Sequence, residues 1–188
     1  MKRALLAGAV IAASLFTSSA FGADTSVGPI VVYGRGPAQD CYVAATADRP
    51  NRNAISVCSL ALNHDFLTTE DRTATLVNRG VLLMRRSADA RALADFEAAA
   101  ALNPSFGEAQ LMRGIALVQL NRYPEAIDTL TRAIAMNPER PERAYFYRAA
   151  AYEEVGNAQS AYADYQRAAD LAPGWGPPRT ELTRFVRR

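Results

Sequence analysis

The chain is short of most residues that carry chemistry. Lys2 is its only lysine, His64 its only histidine and Trp175 its only tryptophan, and cysteine occurs twice, at positions 41 and 58. One histidine leaves no histidine-rich metal set and gives a Ser/His/Asp triad little to build on. Cysteines 17 residues apart make neither a Cys-x-x-Cys redox pair nor a closely spaced ligand pair. No Gly-rich phosphate loop, G-x-S-x-G or H-E-x-x-H stretch is present. Neither sign of charge dominates, with 21 basic and 19 acidic residues, which argues against a broad basic face for nucleic acid. The apolar run from Ala4 to Phe16 is 13 residues long. That is short of the roughly 20 that a membrane span needs. These absences point away from an enzyme, a metalloprotein and a cofactor carrier.

What is present begins with an export signal. Lys2 and Arg3 precede the apolar run, and small polar residues follow it. This is the layout of a secretory signal peptide. Ser18 and Ala20 supply small residues at −3 and −1, so residues 1–20 are expected to be removed. No cysteine follows the run to carry a lipid. The expected location is the periplasm of a Gram-negative cell, or the medium if the protein is secreted further. Removing Lys2 and Arg3 leaves 19 bases against 19 acids, a near-neutral mature chain. Residues 21–36 then read as an extended arm, with β-prone Ile30-Val31-Val32-Tyr33 between glycines.

The rest of the chain repeats. "NRGVLLMRRSADARALADFEAAAALNP", "MRGIALVQLNRYPEAIDTLTRAIAMNP" and "YRAAAYEEVGNAQSAYADYQRAADLAP" align, with closing prolines 34 and 35 residues apart. In each, a first helix carries Arg, a small residue and an apolar one: Arg79-Gly80-Leu83, Arg113-Gly114-Leu117 and Arg148-Ala149-Tyr152. A turn follows, marked by Asn121 and by Gly156-Asn157. The second helix carries Ala92-Phe96-Ala99, Ala126-Leu130-Ala133 or Ala161-Tyr165-Ala168, the i, i+4, i+7 spacing of one helix face. Proline then ends the unit. Arg79 with Asp95, and Arg148 with Asp164, recur at equivalent positions and read as ion pairs within a unit.

These units resemble the tetratricopeptide repeat (TPR) family over about residues 73–175. The resemblance implies an all-α helical solenoid, with three full repeats over 73–176 and a helix over 177–188 that caps the end. Leu182, Phe185 and Val186 would form the apolar edge of that cap, and Trp175 would cover the last repeat. Residues 37–72 extend the pattern as a degenerate leading helix pair, because Ala54, Cys58 and Ala61 repeat the same spacing. In the repeat frame Cys41 and Cys58 then face each other across two helices, so a disulfide is expected there, in an exported setting that permits one. The segment "HDFLTTED" reads as a loop before the first full unit.

In TPR proteins the first helices line a concave groove. Mapped residue by residue, the groove comprises Val77, Val81, Met84 and Arg85, then Glu108, Leu111, Ile115 and Val118, then Arg143, Phe146, Glu153 and Glu154. Its middle is apolar, and exposed contiguous apolar surface marks a binding site. The positions that hold Lys, Arg and Asn in chaperone-binding relatives are here Val77, Val81, Met112, Arg143 and Tyr147, which rules out a carboxylate clamp. The resemblance therefore implies a noncatalytic scaffold or adaptor that holds an apolar segment of another envelope protein. The alternative is a self-associating structural subunit, a homo-oligomer whose groove is covered by its own arm.

Overall fold

A computed structural model of the chain describes residues 36–47, 49–63 and 67–186. The expected signal peptide and extended arm before Gly36, with His64 and the side chain of Val186, lie outside the described residues. Among the described residues the structure is helical throughout, with no strand. The helices are α1 (Pro37–Thr46), α2 (Ala54–Leu62), α3 (Thr69–Met84), α4 (Asp89–Leu102), α5 (Gly107–Gln119), α6 (Tyr123–Ala135), α7 (Pro141–Glu154), α8 (Ala158–Leu171) and α9 (Gly176–Val186). Each helix packs on the next in sequence, and α1, α3, α5 and α7 also pack on one another in order. The result is two layers: an inner row of α1, α3, α5 and α7 and an outer row of α2, α4, α6 and α8.

The pairing within a unit follows from one small residue and one large one. Phe96, Leu130 and Tyr165 are fully buried on the outer helices. A Cβ placed on Gly80 would stand 2.7 Å from Phe96 Cζ, and one on Gly114 would stand 2.5 Å from Leu130 Cδ2. The absent side chain is therefore what lets the helices close. The turn between paired helices needs a left-handed residue, and Ser87 (φ 55°), Asn121 (φ 58°) and Gly156 (φ 80°) fill the same position in the three units. Asn and Gly adopt that conformation readily; Ser87 does so at some cost, which is why it gives no turn signal in the sequence.

The expected ion pairs form. Arg79 donates to both oxygens of Asp95 (2.8 and 2.7 Å), and Arg148 to both of Asp164 (2.7 and 2.9 Å). The Asp95 hydrogen bonds hold the Arg79 guanidinium above its usual pKa against the opposing effect of burial. The middle unit breaks the series. Thr129 occupies the aspartate position and is buried, and Arg113 reaches only Glu97, at 3.7 Å.

The leading pair is held differently. Cys41 and Cys58 form a disulfide between α1 and α2. The apolar cluster around it is small, made of Ala45, Ala54, Ala61 and Leu82. Three arginines reach across from α3 and the turn after it. Arg72 donates to Leu62 O (2.7 Å), Arg85 to Ala45 O (2.9 Å), and Arg86 to Asn51 O (3.0 Å) and Arg52 O (3.1 Å). Arg72 and Arg85 thereby satisfy carbonyls that the ends of α2 and α1 leave open.

One boundary differs from the sequence reading. The end of "HDFLTTED" is not loop: α3 starts at Thr69, and Thr68 caps it by accepting the Asp71 N–H at 3.0 Å. A threonine three residues before an acid is a helix-start signal that lies outside the repeat pattern.

Two stability predictions follow from this packing. Gly114→Ala should destabilise the chain by about 1–3 kcal/mol, although alanine is the better helix former, because the methyl group meets Leu130. Denaturant unfolding of the two chains reads this directly, and a more stable variant would refute the close approach. Replacing Cys41 and Cys58 by serine should cost about 3 kcal/mol, the loop-closure value for a span of this size. Hydrogen exchange should show that loss in α1 and α2, with α5 to α8 little changed.

Candidate partner-binding groove

The inner helices are enclosed in a way the outer ones are not. In α6 the buried residues are Ala126, Thr129, Leu130 and Ala133, a single face. In α5, where successive residues step about 100° around the axis, Leu111, Met112, Gly114, Ile115, Ala116, Leu117 and Val118 are all buried. Only Arg113 interrupts that run. In α3 every residue from Thr73 to Met84 is buried except Arg79. The apolar positions mapped to the groove are therefore covered rather than open: Leu111 is 0%, Ile115 1%, Val77 1%, Val81 3% and Phe146 5% exposed. Met84 and Val118 are buried with them. Helical spacing shows which face a residue takes; it carries no information on what lies over that face.

Four of the five charged positions mapped to the groove are occupied by work inside the chain. Arg85 closes the end of α1 as described. Glu108 accepts the backbone N–H of Glu139 at 2.8 Å. Arg143 is buried, with its guanidinium 5.2 Å from the centre of the Trp175 ring. Glu153 pairs with Arg184 at 2.8 Å and accepts from the Tyr165 hydroxyl at 3.3 Å. Burial pushes the Tyr165 phenol far up, and the Glu153 charge adds to that. Glu154, one residue on, is exposed. Gln119, next to Val118, has a buried Nε2 with no hydrogen-bond partner among the described residues.

The groove is closed at one end. Trp175 lies against Phe146, with ring centres 5.0 Å apart, and Phe146 also meets Tyr147 and Tyr165 edge-on. α9 completes this end: Phe185 packs on Tyr162 and Tyr165, and Arg184 joins Glu153 on α7 to Glu181 on α9. Tryptophan thus covers α7 from its inner side, a placement that sequence alone did not specify. Among the described residues, no group of three or more His, Cys, Asp or Glu side chains is placed to hold a metal ion.

Known proteins agree with this geometry. A family model for the tetratricopeptide repeat matches residues 77–141 and 111–174. The chain belongs to the tetratricopeptide repeat family. Its fold is similar to residues 41 to the end of MamA from Desulfovibrio magneticus RS-1 (20% identity, 79% of this chain and 82% of that one, TM-score 0.65). It is similar to the first TPR of Spaghetti (RPAP3), solved bound to the HSP90 peptide SRMEEVD (19% identity, 66% and 97%, TM-score 0.59). YrrB, described as a TPR protein with an unusual peptide-binding site, is similar over 70% of this chain and 66% of its own (18% identity, TM-score 0.60). No curated protein matches the sequence.

Glu108 gives a pH test of this surface. Burial raises its carboxyl pKa; nearby Glu139 and Glu142 add to that, while the Glu139 N–H and Arg140 oppose it. A carboxyl with a raised folded pKa binds more protons when folded, so stability falls as pH climbs above the ordinary carboxylate value of about 4.3. Once pH exceeds the folded pKa the fall stops. Glu108→Gln keeps an acceptor for the Glu139 N–H and removes the charge. It should match wild type near pH 4 and exceed it at pH 7, by no more than about 1 kcal/mol at this half-exposed site. Chemical denaturation at the two pH values measures the difference.

Proposed function

We propose that the chain is a noncatalytic scaffold of the cell envelope that binds a segment of another protein along its concave face. The observation that carries this reading is the apolar row Val77, Val81, Leu111, Ile115 and Phe146, shared by α3, α5 and α7 and continuous across three repeats. A row of that kind suits an extended or helical segment with apolar side chains, held by area rather than by charge. Gln119 adds a buried amide donor at its side for a backbone carbonyl. The TPR fold supports a protein–protein interaction role, and relatives of the same fold hold peptides. Apart from exposed Glu154, the charges mapped to the groove are engaged within the chain, so specificity in this reading comes chiefly from the shape of the apolar row. The Cys41–Cys58 disulfide supports an exported location. Among the described residues no helix is long and apolar enough to cross a membrane.

Site-specific photo-crosslinking in envelope preparations tests the reading. A benzophenone amino acid at Gln119 or Glu154, on the inner layer, should capture another protein. The same probe at Leu60, 68% exposed on α2, should not. Equal capture from all three positions, or capture from none, would remove the groove as the partner site.

A further inference from the structure

The concave face is buried along its apolar row. α5 packs against α4 and α6 on its outer side and against α3 and α7 on its flanks. Its fourth side carries Leu111, Ile115 and Val118, none more than 4% exposed. A helix buried on every side needs a neighbour on every side. Trp175 lies against Phe146 and Arg143 at the end of α7. The chain outside the described residues consists of 1–35, 48, 64–66, 187 and 188. Only the first stretch is long enough to cross three helices.

We propose that the segment between the export signal and α1, residues 21–35, lies along the concave face of its own chain as a built-in ligand. This rests on reading that face as a binding site and adds how access to it is controlled. Length permits the placement. Inner helices that pack on one another stand about 8–10 Å apart, so α1 to α7 is three such steps, about 30 Å. Fifteen extended residues reach about 50 Å. Chemistry permits it too. Thr25 to Gly34 contains no charged residue, and it carries Val27, Ile30, Val31, Val32 and Tyr33. It can enter an apolar groove without burying a charge. The residue at the junction is suited to a sharp change of direction. Gly36, the residue before α1, has φ 132° and ψ −165°, a backbone region open in practice only to glycine. Pro37 then starts the helix.

The test uses the purified mature chain with no partner present. Tyr33 is replaced by the photo-crosslinker p-benzoylphenylalanine, and the product is sized and mapped. A crosslink from position 33 to peptides of α3, α5 or α7, at the mass of one chain, is the expected result. Crosslinks at the mass of two chains would place the arm on a second copy and overturn the proposal. So would crosslinks outside these helices, or none. A second variant, Ile30→Asp with Val32→Asp, should uncover the apolar row. Dye binding to exposed apolar surface should rise several-fold while far-UV circular dichroism stays that of wild type. No rise would overturn the proposal. Because these experiments need no partner, they can fail while capture from Gln119 succeeds, and the converse also holds.

Discussion

Everything in this molecule depends on how closely two helices of one unit can approach. Gly80 and Gly114 offer no side chain where Phe96 and Leu130 press in, and Ala149 stands at the same place opposite Tyr165 in the third unit. Close approach brings the arginine beside the small residue within reach of the outer helix, so Arg79 and Arg148 meet Asp95 and Asp164 with two bonds each. It also fixes the length of the connecting turn, which three left-handed residues then make. The solenoid is the stacking of units built this way. Its core runs without a break from Leu76 to Ala168.

The ends of such a stack have no neighbour, and the two ends solve this by different means. At the C-terminal end α9 uses rings and charge: Phe185 on two tyrosines, and Arg184 between Glu153 and Glu181. At the N-terminal end the helices are short and mostly alanine-packed, with little apolar area to bury. A covalent bond and three arginine-to-carbonyl clamps take its place. The middle unit lacks the internal arginine–aspartate pair and carries Thr129 there.

Most of the fold could be read from the sequence because its determinants are local and periodic. Small residue, aromatic and alanine recur at fixed offsets, and the same offsets carried the reading back to Cys41 and Cys58. What could not be read was non-local. Arg85 meets Ala45 O 40 residues away, Glu108 the Glu139 N–H 31 away and Glu153 the Arg184 guanidinium 31 away, and no repeat pattern encodes these pairs. The state of the groove was hidden for the same reason. Periodicity placed Leu111 and Ile115 on the inner face, but it carries no information on what lies over that face. The start of α3 was legible and missed: Thr68 and Asp71 spell out a helix cap in three residues.

A groove with a tethered occupant has a particular energetic character. In the proposed placement the arm is joined to α1 through Gly36, so it competes at the effective concentration of a short tether, of millimolar order. A partner does not meet bare apolar surface. It gains only the difference between its own contacts and those of the arm, and its apparent affinity falls by the fraction of time the groove is open. Short apolar segments of other proteins, no better than Ile30-Val31-Val32-Tyr33, would not displace the arm. A longer segment, or one that also engages the exposed Glu154 and the unpaired amide of Gln119, would. The same arrangement keeps an apolar row from collecting unrelated chains in a crowded compartment, and it makes selectivity a property of the cover as much as of the groove.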